Sequence, residues 1–402
     1  MKKINLGILS THPIQYDAPF FRRLAACQDM DTSVFYCLNP APSQQGVGFG
    51  TSFLWDVDLT GGYRHRFLKN VSSKPGLASF NGCNTPQIAD IIRDGGFDAF
   101  LVLGWNTRSM WQAMLASWKH GVPVLVRADN QLDASGNPAK GAGKRLVYPW
   151  FIRKFSVCLA RGLRSEEYFR HYGASRIARL PHFVDNDYFS RRAGEERPKR
   201  QALRQALGIG PDEVVFLFEG KFEKKKRPMD LILAFQKIAA VKNDPRMRLI
   251  LVGDGTLRRE CESYVSRHQL AAVFTGFYNQ TKMPEAYAVS DALVLPSDRG
   301  ETWGLVVNEA MASGVPVVVS EAAGCSPDLV ASGRTGFTYP CGDVDALCSA
   351  MAQVAAADHR AMGEDARRHI ADYSIEAAVA HLRAALQMTG EKKKEPHGAH
   401  CA

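Results

Sequence analysis

Short apolar, β-branched runs alternate with stretches of helical pattern along most of the chain, and this alternation constrains the fold more than any other feature. Continuous apolar strands separated by helices are typical of parallel sheets that helices cover on both faces. The sequence therefore predicts a doubly wound α/β architecture. The predicted strands are Ile4–Leu9, Thr32–Cys37, Ala99–Leu103, Val122–Arg127, Val157–Ala160, Ile177–Leu180, Val214–Glu219, Leu249–Val252, Val273–Gly276, Ala292–Pro296 and Val315–Ser320.

The length of the chain, 402 residues, predicts more than one domain, because single hydrophobic cores stop growing at roughly 250–300 residues. A charged stretch without a strand pattern, 185–211, marks the break and fits a linker or a surface helix. We predict Rossmann-like domains over residues 1–190 and 191–372, a C-terminal helix over 373–390 that packs back on the first domain, and a disordered tail over 391–402. Two such domains face each other across a cleft, where ligands of open α/β sheets bind.

The composition excludes several classes of protein. Apolar residues make up 46% of the chain and charged residues 23%, which is ordinary for a globular protein. The nine cysteines are scattered without a Cys-x-x-Cys pair, which favours a reducing compartment over a disulfide framework. We find neither a signal-peptide core nor an apolar window near the roughly 20 residues of a membrane span, so we predict a cytoplasmic protein.

The most specific signal lies in the polar loop and helix that follow the tenth predicted strand. Two carboxylates, Glu301 and Glu309, stand there with seven residues between them, the first in the loop and the second in the helix. The helix is predicted to begin near Trp303, so that the amides of Trp303, Gly304 and Leu305 form its first turn. First-turn amides lack intrahelical acceptors, and with the helix dipole they suit a phosphate or a sugar hydroxyl.

Glu309 can be interpreted in two ways. It lies about two turns into a helix whose neighbours are nearly all apolar, and a carboxylate in such a place requires a partner or a ligand hydroxyl. The alternative is that Glu309 is a solvated helix position and Glu301 a loop charge. The context of strand, loop, helix and strand favours the functional interpretation.

These residues resemble the hallmark of glycosyltransferase family 4, in which a Glu, seven residues and a second Glu stand in this context. The resemblance is specific over residues 214–340 and weaker in the N-terminal half. It implies the GT-B fold, with an acceptor-binding N-terminal domain and a C-terminal domain that binds the nucleotide sugar. It also implies that Glu301 contacts hydroxyls of the donor sugar and that Glu309 binds the ribose hydroxyls. The amides around Gly304 and Leu305 are implied to hold sugar and phosphate.

A basic loop follows the predicted strand that ends near Gly220. A leaving nucleoside diphosphate gains negative charge as the glycosyl bond breaks, and fixed cations stabilise that transition state as a metal does elsewhere. By the resemblance, Lys221 takes the place of an Arg after this glycine, and Lys226 takes that of a Lys that opens the next helix. We therefore predict Glu301, Lys226 and Lys221 as catalytic residues. Lys221 keeps the charge of the Arg but loses its bidentate geometry, and a solvated basic loop is the alternative.

Other strand ends of the C-terminal half complete the predicted donor site. Gly253 and Asp254 belong to a Gly-Asp-Gly turn that the family shares, where backbone can approach a ligand, and Tyr278 is predicted near the base. An Asp-x-Asp sequence at 185–187 looks like a metal motif. It lies at the domain break, where the family has a similar stretch without a metal role, so we predict no metal. The predicted donor-binding set is Glu309, Gly304, Leu305, Trp303, Gly253, Asp254 and Gly220.

The acceptor-side predictions lie at strand ends of the N-terminal half. His12 and Gln15 follow the first strand, and Arg127 and Asp129 follow the fourth, at the edge where ligands bind. Alternatively, His12 is a capping or turn residue, and Asp129 pairs with Arg127 as a structural ion pair. Many family members have a His near the fourth strand, where this chain has Arg127 and Asp129, so any general base stays open.

A basic stretch of the N-terminal half bears on membrane association. Seven basic residues and no acidic residue lie from Lys140 to Arg164, with Trp150, Phe151 and Phe155 among them. Such a stretch suits an acidic membrane surface that presents a lipid-linked acceptor, and the net charge of +9 favours anionic partners. The alternative is a basic helix whose aromatic side chains lie in the core.

Together these interpretations predict a retaining, metal-independent transferase that moves a sugar from a UDP- or GDP-linked donor to a carbohydrate or lipid-linked acceptor. No cofactor is expected, since the nucleotide sugar is a co-substrate. Retention, and a role in surface polysaccharide or glycolipid synthesis, are implied by the resemblance only. An epimerase of the same fold and a non-catalytic binding member are the alternatives, and we find no nucleic-acid-binding motif.

Overall fold

The computed structural model describes residues 3–45, 52–132, 138–242 and 246–390, and the predicted tail over 391–402 lies outside them. Each half of the described chain contains one parallel sheet. The first sheet comprises strands β1 to β7: Ile4–Ser10, Met30–Tyr36, His65–Phe67, Ala99–Val102, Val124–Arg127, Val157–Ala160 and Ile177–Arg179. The second comprises strands β8 to β13: Val214–Glu219, Met247–Val252, Ala272–Gly276, Ala292–Leu295, Val317–Ser320 and Gly336–Tyr339.

Helices connect most of the consecutive strands. Helices α1 to α16 are Asp17–Ala25, Pro42–Gln45, Ile88–Asp94, Arg108–Lys119, Pro138–Ile152, Leu163–His171, Asn186–Glu196, Arg200–Ala206, Pro228–Lys242, Arg258–Arg267, Met283–Val289, Leu305–Ala312, Ser326–Leu329, Val344–Ala356, His359–Ile370 and Ile375–Gly390. Short 3₁₀ helices cover Phe80–Gly82, Arg197–Lys199, Lys224–Lys226 and Ala371–Tyr373. The predicted alternation of strands and helices is thus present in both halves.

The strand order places two strands where ligands of such sheets bind. The first sheet has the order β3-β2-β1-β4-β5-β6-β7 and the second has the order β10-β9-β8-β11-β12-β13. The order therefore reverses direction at β1 and at β8. Ligands of open α/β sheets bind outside the carboxyl ends of strands at such switch points. The segments that follow Ser10 and Glu219 consequently occupy the favoured positions.

Two edge strands were not predicted from the sequence. Strand β3 has only three residues, all of them exposed, so it has no apolar run. Strand β13 contains Gly336 and Thr338, and Gly is depleted in strand interiors. Strand β12 begins at Val317 and not at the predicted Val315, because Pro316 has no N–H for the ladder.

The strand-free stretch at the domain break forms helices that pack on the second domain. Arg204 of α8 is 3% exposed. Its Nη2 lies 2.7 Å from Oδ2 of Asp291, and that carboxylate also accepts from the amide of Val215 at 2.8 Å. The charges of this stretch therefore fix α8 to the start of the second sheet.

The last helix returns to the first domain. α16 packs against α1, β6 and β7, and its Val379 and Leu382 are buried in one cluster with Leu6 of β1. Arg383 donates to both carboxylate oxygens of Asp29, at 2.8 and 2.9 Å. The chain consequently crosses between the domains twice. Among the described residues, no helix is both long and apolar enough to cross a bilayer.

Candidate functional site

A cavity of about 350 Å³ lies between the two domains at the carboxyl ends of β1 and β8. The first domain contributes Gln15, Tyr16 and Trp55, and the second contributes residues from the ends of β8, β9 and β10 and from α12. The sequence-predicted residues on its wall are Gln15, Gly220, Lys221, Lys226, Gly253, Tyr278 and Glu309. The structure thus brings three of the seven predicted donor-binding residues and two of the three predicted catalytic residues to one cleft.

Glu301 reaches this cavity through an ion pair with Lys226. The carboxylate comes from the loop after β11 and the ammonium from the 3₁₀ helix after β8, and each side chain is 12% exposed. Burial lowers the pKa of Lys221, with the nearby Glu223 opposing the shift and the cations Lys225 and Lys226 adding to it. The arrangement offers positive charge to an anionic ligand at the carboxyl ends of β8 and β11.

The Gly-Asp-Gly turn supports the loop that carries these lysines. Gly253 has φ +129°, and a Cβ there would lie 2.0 Å from the carbonyl oxygen of Gly220. Only glycine permits this approach. Asp254 is not among the residues that line the cavity. Its carboxylate pairs with Arg258 at 2.9 Å and accepts from the amide of Gly255 at 2.7 Å. Asp254 therefore shapes the turn.

Helix α12 begins at Leu305, two residues later than predicted. Gly304 occupies the N-cap position with φ +109°, a conformation that favours glycine. Trp303 precedes the helix, and its indole Nε1 donates to Oδ1 of Asn308 at 2.8 Å. Its ring lies 5.4 Å from that of His182. The prediction of Trp303 as a first-turn residue is corrected: the first turn starts at Leu305 and continues with Val306, which lines the cavity.

Glu309 is buried, 2% exposed, and is held by two tyrosines. The hydroxyl of Tyr16 donates to its Oε1 at 2.8 Å, and that of Tyr287 lies 2.7 Å from its Oε2. Tyr287 also contacts Glu219. Burial raises the pKa of Glu309 to about 7, and the two tyrosine hydroxyls limit the rise. The solvated alternative for Glu309 is therefore wrong.

The sequence interpretation missed Tyr16, Tyr287 and Glu219. Glu219 had a signal, since it is an ionisable residue at the end of an otherwise apolar strand. Tyr16 and Tyr287 belong to no pattern that marks them. Their role depends on a contact between segments 293 positions apart, which only the folded chain reveals.

Of the predicted acceptor-side residues, Gln15 lines the cavity, whereas His12, Arg127 and Asp129 do not. Gln15 is buried. Nδ1 of His12 lies 2.9 Å from the hydroxyl of Thr11, and burial lowers the pKa of His12 to about 4. The contact with Thr11 fits the turn interpretation of His12.

Asp129 does not pair with Arg127, contrary to that alternative. Oδ1 of Asp129 lies 2.5 Å from Arg161 and 2.8 Å from Nε2 of His182. Burial opposes ionisation of Asp129, but Arg161 and His182 outweigh it and lower its pKa. Arg127 instead lies 3.5 Å from Asp17 and 4.7 Å from the centre of the Phe183 ring. The partner was wrong because β5 ends at Arg127, and Asp129, in the segment after the strand, lies against Arg161 and His182 instead.

Burial and the charge of Arg161 lower the pKa of His182 to about 3. This histidine therefore stays neutral near pH 7. It lies at the domain boundary, since its backbone carbonyl accepts from Asn308 at 3.2 Å. The structure thus brings a histidine from the segment after β7 next to Asp129, which follows β5.

The Asp-x-Asp sequence has a structural role at its first residue. Asp185 caps α7 by accepting from the amide of Tyr188 at 2.9 Å. Among the described residues, no group of three or more His, Cys, Asp or Glu side chains is arranged to hold a metal ion.

The basic stretch divides its aromatic side chains between the core and the solvent. Phe151 and Phe155 are buried, as the core alternative predicts, whereas Trp150 is 64% exposed. Leu146 and Val147 of the same helix, α5, are also exposed. Nζ of Lys154 lies 4.3 Å from the centre of the Trp150 ring. The end of α5 and the turn that follows it therefore present apolar and cationic groups side by side.

Comparison with known proteins defines the class of the protein. The fold is GT-B: the HepE protein of Anabaena in complex with UDP has a TM-score of 0.71 at 19% identity, covering 96% of this chain and 99% of that one. A glycosyltransferase from Rickettsia africae has the same TM-score at 14% identity, covering 98% of this chain and all of the other. The predicted architecture is confirmed.

Residues 199–377 match the family described as glycosyl transferases group 1. The D-inositol 3-phosphate glycosyltransferase 2 of Catenulispora acidiphila is 28% identical over 292 residues, which cover 69% of this chain and 66% of that relative. The N-acetyl-alpha-D-glucosaminyl L-malate synthase of Bacillus anthracis is 31% identical over 170 residues, 42% of this chain and 43% of that protein. The aligned part thus spans less than two thirds of either relative. The C-terminal half thus matches the group 1 glycosyltransferase domain, and the predicted resemblance to glycosyltransferases is confirmed.

Proposed function

We propose that this chain transfers a sugar from a nucleoside-diphosphate sugar to an acceptor, with retention at the anomeric carbon, as a member of glycosyltransferase family 4. The observation that carries the proposal is the Lys226–Glu301 ion pair, which lies with Glu309 at one cavity between the domains. A fixed cation, a sugar-binding carboxylate and a ribose-binding carboxylate are the groups that such a transfer requires.

The donor is held by the second domain. Glu309 accepts from the ribose hydroxyls, and the first-turn amides of Leu305 and Val306 face the phosphate and sugar, where the helix dipole adds positive potential. Glu301 orients the sugar through its hydroxyls. These groups fix the donor before the chemical step, which removes the entropy cost of alignment from the barrier.

The lysines act on the leaving group. Breaking the bond between the anomeric carbon and the β-phosphate oxygen leaves both bonding electrons on the diphosphate. Lys226, oriented by Glu301, and Lys221 stabilise this charge more in the transition state than in the ground state. Closure of the two domains excludes water, which favours transfer to the acceptor hydroxyl over hydrolysis.

UDP is the first nucleotide to consider, because HepE, with the same fold, has been solved with UDP and with UDP-glucose. Relatives of this chain include a D-inositol 3-phosphate glycosyltransferase and a sulfoquinovosyl transferase. These names support transfer of a sugar, and the family resemblance is the ground for proposing a carbohydrate or lipid-linked acceptor used in surface polysaccharide or glycolipid synthesis.

The first domain binds this acceptor, and α5 brings it to an acidic membrane surface. The exposed side chains of Leu146 and Trp150 would enter the interface between headgroups and acyl chains, and Lys154 would meet anionic headgroups. This combination of apolar groups on α5 and a basic group in the turn after it supports peripheral membrane association.

Calorimetric titration with UDP, GDP, ADP and CDP tests the donor site. We expect one diphosphate to bind wild type and to lose binding in Glu309→Ala. Glu364→Ala is the matched control, because Glu364 is a half-exposed carboxylate on α15 that pairs only with Arg360 at 3.4 Å among the described contacts. Binding of none of the four diphosphates would reject the proposal. Conversion of a UDP-sugar without any acceptor into a second UDP-sugar would support the epimerase alternative.

A further inference from the structure

Two carboxylates and two tyrosines meet at the wall of the cleft cavity. Glu219 ends β8, Glu309 lies in α12 and Tyr287 in α11, all in the second domain. Tyr16 immediately precedes α1 of the first domain. Glu219, Glu309 and Tyr16 all line the cavity, and Tyr287 is buried behind them.

The hydrogens in this cluster can be assigned by counting. The Tyr287 hydroxyl contacts Oε2 of Glu219 and, at 2.7 Å, Oε2 of Glu309. A phenol has one hydrogen to donate, so one of the two carboxyl groups must carry a proton and donate it to the phenol oxygen. Burial and the charge of Glu309 raise the pKa of Glu219 well above its ordinary value. Glu309 also accepts from Tyr16 at 2.8 Å, which favours its ionised form, so we assign the proton to Glu219 and Tyr287 donates to Glu309.

The two oxygens of Glu309 thus have partners from different domains. Oε2 is held from within the second domain by Tyr287, whose own orientation is fixed by Glu219. Oε1 is held across the cleft, where the hydroxyl of Tyr16 donates at 2.8 Å. A hydroxyl donating to this oxygen is the same chemistry that a ribose hydroxyl would supply.

We propose that Tyr16 is a placeholder for the ribose: its hydroxyl pairs with Oε1 of Glu309 before the nucleotide binds and then yields that oxygen to the nucleotide, while Glu219 and Tyr287 keep the carboxylate in position. The inference rests on the proposed donor site. It assigns Tyr16, Tyr287 and Glu219 as positioning residues. Donor binding then releases a contact between the domains, so that the first domain responds to the presence of the nucleotide.

Calorimetric titration of UDP into wild type, Tyr16→Phe and Tyr373→Phe tests the placeholder. Tyr16→Phe removes the hydrogen bond that the nucleotide must displace, and a hydrogen bond to a charged group is worth enough to make UDP binding about ten-fold tighter. Tyr373→Phe also removes a partly buried hydroxyl, one that contacts the carbonyl of Asp328 at 3.2 Å, and should leave the affinity unchanged. A misfolded variant does not gain affinity, so a gain identifies the placeholder. Unchanged or weaker binding by Tyr16→Phe would overturn it.

The positioning of Oε2 is tested with Tyr287→Phe, Glu219→Ala and Glu219→Gln. The first two break the chain of hydrogen bonds and should weaken UDP binding at least ten-fold. A glutamine amide can donate to the phenol as the protonated carboxyl does, so Glu219→Gln should stay within about two-fold of wild type. Equal weakening by Gln and Ala would overturn this assignment.

Glu309→Ala separates failure of the placeholder from failure of the donor site. Loss of UDP binding in Glu309→Ala, with no gain in Tyr16→Phe, would reject the placeholder alone. Unaltered UDP binding in Glu309→Ala would reject the proposed donor site and the placeholder with it.

Discussion

Lys226 and Glu301 form an ion pair that joins the loop after β8 to the loop after β11, with each side chain only 12% exposed. The ion pair thereby links the loops that follow two neighbouring strands of the second sheet, β8 and β11, at the cleft. A pair with so little access to water holds its geometry better than a surface pair, because solvent screens it less. The lysine is consequently preorganised for a diphosphate.

Replacing this lysine should slow the chemical step. We expect Lys226→Ala to reduce the rate of donor-sugar release by about 10²–10³-fold, the range seen when one preorganised electrostatic group is removed. The rate is measured as hydrolysis of a UDP-sugar without acceptor. Lys226→Arg keeps the charge and should retain more of the rate. A Lys226→Ala variant as fast as wild type would remove this residue from the catalytic set.

The buried carboxylate Glu309 should make stability depend on pH. Its pKa is raised from 4.5 to about 7, by burial above all, so the folded state binds more protons than the unfolded state between these values. The free energy of unfolding therefore falls as pH rises through this window. Urea unfolding at pH 5 and pH 8 should show a larger loss for wild type than for Glu309→Gln, which cannot ionise. Equal losses in the two proteins would contradict the assignment.

Gly253 should be irreplaceable for steric reasons. In Gly253→Ala the new Cβ would lie 2.0 Å from the carbonyl oxygen of Gly220 at φ +129°, and such strain typically costs about 1–3 kcal/mol or more. We expect a lower free energy of unfolding and weaker nucleotide binding. Gly194→Ala is the control: Gly194 lies in α7, and nothing lies within 4 Å of an added Cβ, so this change should be neutral or stabilising by roughly 0.5–1 kcal/mol. Similar unfolding curves for both variants would be inconsistent with the contact.

The exposed face of α5 should direct binding to anionic vesicles. Sedimentation at low salt should recover wild type with vesicles rich in phosphatidylserine, and Leu146→Ser with Trp150→Ser should recover several-fold less. Val71→Ser removes an exposed apolar side chain outside α5 and should bind as wild type does. Added salt should weaken binding because it screens the basic residues. Failure of wild type to sediment with these vesicles would reject membrane association.

Local signals determined how much of the fold was predictable. Every predicted strand has an observed counterpart, because a buried parallel strand is a short apolar run in the sequence itself. The edge strands β3 and β13 lack such a run and were missed. The start of α12 was wrong by two residues because the left-handed conformation of Gly304 is imposed by the loop, and no helix-forming pattern encodes it.

The candidate site was predictable where its residues are neighbours in one segment. Glu301 and Glu309 stand in one loop and helix, and Lys226 follows a strand end, so spacing, context and the family resemblance together predicted them. The partners of these residues come from distant segments. Tyr16 meets Glu309 across 293 positions, and Asp129 meets His182 across 53. Which of several buried polar groups pair is decided by packing of the two sheets, which no local pattern records.

The return of α16 to the first domain has a consequence for the order of folding during synthesis. Val379 and Leu382 of α16 complete the buried cluster that contains Leu6 and Phe183. The face of the first sheet that they cover therefore stays exposed until α16, the last described helix, has left the ribosome. The second domain closes its core with α15, which ends at Ile370, and is complete earlier. The second domain therefore completes its core first, and the core of the first domain stays incomplete until α16 is synthesised. This order contrasts with the N-terminal-first order usual for consecutive domains.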